Sequence, residues 1–186
     1  MTSNEVLLTE AKSLFATGHT KESIELFSRA EDHGCNPVTV YLSRGAAFLN
    51  IGELDKSIND FDRVLEIDAD NERAFFYRGI AHLMRGDFSD AVNDLSTSIK
   101  FNHDRGAAFL ARGMAHAELD HTDESLQDMK TAIAFSSKEV EEFASMFGEN
   151  RTFLDKSMAL LEGERGPWSI VMNEDEVNKL KKWIED

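Results

Sequence analysis

The chain has 186 residues, 41% of them hydrophobic and 30% charged, with a formal net charge of -15, a globular composition with material for a core. Residues 1–150 hold 27 Asp and Glu against 14 Lys and Arg, and so acidic a surface repels phosphate backbones and anionic lipid. Nucleic acid is therefore excluded as a partner, and no uninterrupted apolar run is long enough for membrane insertion.

Cys35 is the one cysteine and cannot form an internal disulfide, which suits a reducing compartment. Met1 to Phe15 lacks a basic start followed by an apolar stretch. The expected location is cytoplasmic. Two prolines and eleven glycines leave little room for a long disordered linker.

A fixed period organises the chain. Gly18, Gly52 and Gly86 stand 34 residues apart, with Asp120 in the fourth place; Gly45, Gly79 and Gly113 repeat at the same spacing, with Ala11 one step earlier. Residues 4–37 show helical spacing through Val6, Leu7, Ala11, Leu14 and Phe15, a break at Gly18, then a second helix through Ile24, Leu26, Phe27 and Ala30, closed by Pro37. Residues 38–71 repeat this with Tyr41, Gly45 and Phe48, then Ile58, Phe61, Val64 and Leu65. Residues 72–105 have Phe75, Gly79 and His82, then Ala91, Val92, Leu95 and Ile99. Residues 106–139 have Phe109, Gly113 and His116, then Leu126, Met129, Ala132 and Ile133.

Each unit reads as two amphipathic helices joined by a tight turn, where glycine supplies a left-handed backbone. Glycine inside the first helix costs roughly 1 kcal/mol against alanine, so its recurrence predicts helices that cross too closely for a side chain. Past 139 the period fades. Residues 140–162 read as a degenerate helical hairpin covering the end of the stack. Residues 163–186 read as an apolar segment, Trp168 to Met172, followed by an amphipathic helix.

The pattern resembles the tetratricopeptide repeat over about residues 4–139. Tyr41-Gly45-Phe48 and Phe75-Gly79-His82 match the first half of its consensus. Ala91-Leu95 matches the second half, and Ser23-Phe27, Ser57-Phe61 and Ser125-Met129 keep the small-then-large spacing. The resemblance implies an all-α, right-handed α-solenoid of about four helix-turn-helix units with a C-terminal helical cap.

Beyond that signature, Arg44, Arg78 and Arg112 recur at 34, as do Asp60, Asp94 and Asp128. Three acids in phase with three bases predict a ladder of Arg–carboxylate pairs between the two helices of each unit. As exposed pairs they would add only ~0–1 kcal/mol each and fix geometry more than stability.

No phosphate loop, paired-cysteine motif or nucleophile elbow is present, so no catalytic residue, cofactor or metal is expected. His82 and His116 stand one repeat apart, roughly 10 Å by helix packing distance. That is too far to share one ion, and packing in the consensus aromatic slot is the expectation.

The resemblance further implies a concave groove lined by the first helices, which binds an extended or helical peptide. Its lining positions fall on Leu8, Lys12 and Phe15; Thr39, Leu42, Ala46 and Leu49; Arg73, Phe76, Ile80 and Leu83; Ala107, Leu110 and Met114. The set is largely apolar, and two readings of it stand: groove lining, or packing between helices. The clamp that grips acidic tails in heat-shock co-chaperones is not matched. It needs Lys and Asn in the first unit, Asn in the second and Lys and Arg in the third, where this chain has Leu8 and Lys12, then Ser43, then Arg73 and Tyr77, and only Arg73 carries the right kind of charge at its place.

The expected partner is a protein or peptide, apolar with basic flanks, and the expected role is a non-catalytic interaction adaptor. The alternative is a small acidic chaperone that shields apolar segments of a cargo. Residues 168–186 could pack on the last hairpin, fill the chain's own groove, or enter a second copy's groove in a homodimer.

Overall fold

The computed structural model describes residues 3–135, which form eight α-helices: α1 Ser3–Ala16, α2 Thr20–Asp32, α3 Pro37–Asn50, α4 Leu54–Ile67, α5 Glu72–Arg85, α6 Phe88–Phe101, α7 Gly106–Glu118 and α8 Thr122–Phe135. There is no strand among the described residues. The hairpin expected at 140–162, and the apolar segment, last helix and homodimer contact expected within 163–186, lie outside the described residues.

The helices pair as the period predicts: α1 with α2, α3 with α4, α5 with α6 and α7 with α8. Each second helix also packs on the first helix of the next unit. One boundary is placed differently. Pro37 opens α3 at its first turn instead of closing the unit before it. An N–H at that position has no helical partner, so proline is tolerated there. Asn36 caps the same end, its side-chain oxygen accepting from the Thr39 N–H at 3.0 Å.

The four turns share one hydrogen-bond scheme. The amide after each turn residue returns to a carbonyl five residues earlier: His19 to Leu14, Glu53 to Phe48, Asp87 to His82 and His121 to His116. This six-to-one closure requires a left-handed residue at the turn. Gly18, Gly52 and Gly86 have φ of 83°, 76° and 92°, and Asp120 holds 58°. Asp is among the few residues with a side chain that tolerate this region.

Between the helices of a unit the contact is a knob set over a notch. Phe27, Phe61, Leu95 and Met129 recur at 34 on the second helices and are fully buried. They face Ala11, Gly45, Gly79 and Gly113 on the first. A Cβ on Gly45 would stand 2.8 Å from the Phe61 ring, one on Gly79 2.7 Å from Leu95 Cγ, and one on Gly113 3.1 Å from Met129 Cγ. The neighbouring position explains serine in the alanine slot. Ser57 and Ser125 each donate from Oγ across the crossing to the carbonyl of Gly45 or Gly113, at 2.9 and 2.8 Å. A buried hydroxyl there is satisfied and not a defect.

Successive first helices touch one another, α1 with α3, α3 with α5 and α5 with α7. Second helices of neighbouring units have far fewer mutual contacts. The first helices therefore line the shorter, inner wall of a curved stack.

Gly79→Ala is expected to lower unfolding free energy by about 1–3 kcal/mol, because Leu95 must move off its rotamer to admit the methyl. Equilibrium denaturant unfolding of the single variant measures it; an unchanged midpoint would mean that the crossing is looser than the geometry states.

Candidate functional site

The ladder is present in the second, third and fourth units with two-point geometry. Arg44 donates from Nε and Nη2 to Asp60 at 2.8 Å each. Arg78 donates to Asp94 at 2.7 Å twice, and Arg112 to Asp128 at 2.7 and 2.6 Å. The planar guanidinium fork matches a carboxylate in this way, and lysine could not replace it.

The structure corrects the expectation of exposed pairs: the carboxylate side chains of Asp60, Asp94 and Asp128 are only 2%, 9% and 6% exposed. Burial, opposed by the hydrogen bonds and charge of Arg44, leaves the Asp60 carboxyl above its ordinary 3.8. The hydrogen bond to Asp60 raises the Arg44 guanidinium above its ordinary range, and the bond to Asp94 does the same for Arg78.

Each arginine has one further nitrogen, and it reaches back to the preceding unit. Arg44 Nη1 donates to Ser28 Oγ at 3.1 Å and to Glu31 at 2.6 Å. Arg78 Nη1 donates to Asp62 at 2.6 Å and Arg112 Nη1 to Ser96 Oγ at 3.0 Å. Ser28, Asp62 and Ser96 are themselves 34 apart. This row was missed in the sequence because its residue type alternates, although its period is visible. Tyr41, Phe75 and Phe109 complete the module, each ring centroid 5.5–5.6 Å from the guanidinium carbon of its own unit's arginine. The ladder thus joins three helices per arginine and is structural. No guanidinium of the three is left for an anionic ligand.

The expected lining residues divide along the stack. Leu8, Phe15, Thr39, Leu42 and Ala46 are all half-buried, and Lys12 is exposed. Arg73 is exposed as well. Leu49, Phe76, Ile80, Leu83, Ala107, Leu110 and Met114 are buried and, with one another, belong to one apolar cluster. Leu8 packs instead on a smaller cluster built on Ala11, Phe27, Ala30, Cys35 and Val40. At its third unit the inner wall carries Arg105, whose guanidinium lies 4.4 Å from the Phe76 ring centroid and pairs with Glu72 at 2.9 Å.

Both histidines are half-buried, as expected of their slot, but their neighbours are polar. His82 Nδ1 lies 3.5 Å from Asp87 and its Nε2 3.8 Å from Asp94. His116 Nδ1 lies 3.3 Å from His121 Nδ1. Burial pushes the His116 imidazole below its ordinary 6.5. No described helix is long and apolar enough to cross a membrane.

Paired helices stacked in one register, with the first helices turned inward, define an α-solenoid of the kind that serves as a protein-interaction scaffold. The family model for the tetratricopeptide repeat matches residues 8–72 and 42–97. Residues 8–97 are thus tetratricopeptide repeats.

Among solved structures it is similar to MamA (41-end) from Desulfovibrio magneticus RS-1, with a TM-score of 0.68 and 16% identity over 88% of this chain and 97% of that one. It is also similar to TTC0263, a thermophilic protein of the same repeat class in Thermus thermophilus, with a TM-score of 0.66 and 16% identity over 99% of this chain and 100% of that one. A tetratricopeptide-repeat protein from Parabacteroides merdae ATCC 43184 aligns with a TM-score of 0.64 and 17% identity over 90% of this chain and 68% of its own. At these identities the likeness is one of fold. No curated protein matches the chain.

Arg78→Leu, which leaves Asp94 buried without its partner, is expected to cost about 3–5 kcal/mol, and Arg78→Leu with Asp94→Leu markedly less. A double-mutant cycle by denaturant unfolding separates the two; equal costs would mean that the pair is solvated.

Proposed function

We propose that the chain is a non-catalytic adaptor that holds a segment of a partner protein on the inner wall of its first two units and the start of its third. The observation that carries this is the division of the wall. Leu8, Phe15, Leu42 and Ala46 keep accessible apolar surface on first helices that also carry exposed Lys12 and, on the third unit's first helix, exposed Arg73, while the corresponding apolar residues further along are buried.

Partly accessible apolar side chains on adjacent first helices offer shallow sockets for alternate or helically spaced anchors of a ligand. Three such anchors contribute about 5–9 kcal/mol gross, at ~1.5–3 each, and ordering a flexible segment offsets about 2–5 kcal/mol of it. The net is reversible binding. The overall charge of -15 favours basic residues flanking the apolar ligand and speeds its encounter.

Photo-crosslinkers placed singly at Leu42 on α3 and at Arg63 on the exposed side of α4 test the surface in cells. Adducts from position 42 that disappear when Phe15→Glu is added, with none from 63, are the expected result. Adducts confined to 63 would move the binding surface to the outer wall and defeat the proposal.

A further inference from the structure

A hollow lies between the two helices of a unit, beside their turn, and its contents differ from copy to copy. In the second unit it is lined by Arg44, Phe48, Asp55, Lys56, Asn59 and Asp60. In the fourth, the same six positions two periods on are Arg112, His116, Asp123, Glu124, Gln127 and Asp128, around a volume of about 550 Å³. The second-unit lining balances two bases against two acids. The fourth sets three acids against one base, and that base, Arg112, is already bonded to Asp128 and Ser96.

The second and third units show what this place holds. The Lys56 ammonium lies 5.6 Å from the centroid of the Phe48 ring and 3.1 Å from Glu53. Arg85, at the end of α5, reaches across to Asp55 of the second-unit hollow with Nη1 at 2.8 Å. Its Nε bonds to Asp87, and its Nη2 lies 3.5 Å from His82 Nδ1. One guanidinium is thus gripped by two carboxylates beside an imidazole. In the fourth unit Glu124 replaces Lys56, Leu119 stands at the position of Arg85, and the carboxylate of Asp55 recurs as Asp123. Two carboxylates and an imidazole are gathered again, and among the described residues that line this copy the one cation is Arg112.

We propose that the hollow at the α7–α8 turn takes the guanidinium of an arginine side chain from a partner protein. Asp123 and Glu124 are exposed at the start of α8, and His116 is half-buried on the α7 side. A planar fork of N–H donors matches carboxylates at two points, as Arg112 on Asp128 already does in the same hollow. Neighbouring acids without a cation of their own also set up a local negative potential, which draws a basic side chain in.

An arginine within a polypeptide is favoured over the free amino acid, whose own carboxylate would meet Asp123 and Glu124. A single side chain gives a dissociation constant on the order of 1 mM, which suits an anchor beside a larger contact. The hollow is built from positions other than those of the inner wall, so the assignment stands apart from the adaptor surface proposed there.

The probe is N-acetyl-arginine N-methylamide, titrated into the full chain at low salt and followed through the amide resonances of Asp123, Glu124 and Gln127. Saturable shifts are expected there, with none at Asp55 and Asn59 in the second-unit hollow. The citrulline analogue, uncharged and of the same shape, should give no saturable shift, and free arginine should bind more weakly than the blocked residue. Glu124→Lys, which puts back the second unit's own cation, should abolish the shifts at Asp123 and Gln127. Glu22→Gln alters an exposed acid at the same position of the first unit and should leave them unchanged. Helical circular dichroism checks that each variant keeps the fold. Shifts spread evenly over the acidic surface, an equal response from the citrulline analogue or from Glu124→Lys, loss on Glu22→Gln, or no saturable shift in the wild type would each overturn the assignment. Tighter binding of free arginine would remove a partner protein as the source.

Discussion

The stack depends on one close approach, the crossing of the two helices of a unit at Gly45, Gly79 or Gly113. A side chain at these points would collide with Phe61, Leu95 or Met129, so the absence of a Cβ sets how near the helices come. Once they are that near, the residue before the glycine falls opposite a carboxylate on the facing helix. The bidentate pairs Arg44–Asp60, Arg78–Asp94 and Arg112–Asp128 follow from it. A looser crossing would leave the arginines to water and the carboxylates with an unmet burial cost. The sharp turn matters for the same reason: closure at Gly18, Gly52, Gly86 and Asp120 sends the second helix back along the first at once.

The second consequence is continuity between units. Each arginine directs two nitrogens inside its own unit and one to the helix before it, through Ser28 and Glu31, Asp62 or Ser96. Polar bonds at fixed spacing resist sliding of one unit over the next, which apolar contacts alone would permit, since hydrophobic attraction has no direction. The apolar cluster from Leu49 to Ala132 supplies area, and the ladder supplies register. A wall held in register can present side chains on adjacent first helices at set distances, and that is what recognition of an extended or helical segment requires.

Periodicity also leaves places where the chain varies without disturbing the stack. The hollow beside each turn is one: Phe48 and Lys56 in the second unit, His82 with Arg85 in the third, and His116 with His121 in the fourth occupy the same small volume with different chemistry. The closing hydrogen bonds of these turns run from backbone to backbone, so the side chains are free to change. The inner wall varies too, more open at Leu8, Phe15 and Leu42 and closed at Ile80, Leu83 and Met114.

The architecture was legible because it is written in spacing. A period of 34 in the glycines, in the arginines and in the aspartates states which residues are equivalent, and the identity of a residue at such a position states what backbone or partner it needs. Glycine at the crossing, left-handed turns and the arginine–aspartate pairing could all be deduced without coordinates. Burial could not. A periodic sequence does not say how much water reaches each copy, so Asp60, Asp94 and Asp128 were read as solvated when they are enclosed. For the same reason one set of lining positions had to stand for both the open and the closed parts of the wall. The facing of His116 and His121 also had to come from the fold, because their five-residue separation spans a turn whose direction is set by Asp120 and by the helix packed beneath it. Spacing along the chain tells which residues play the same part; only the distances between helices tell how each copy meets solvent and its neighbours.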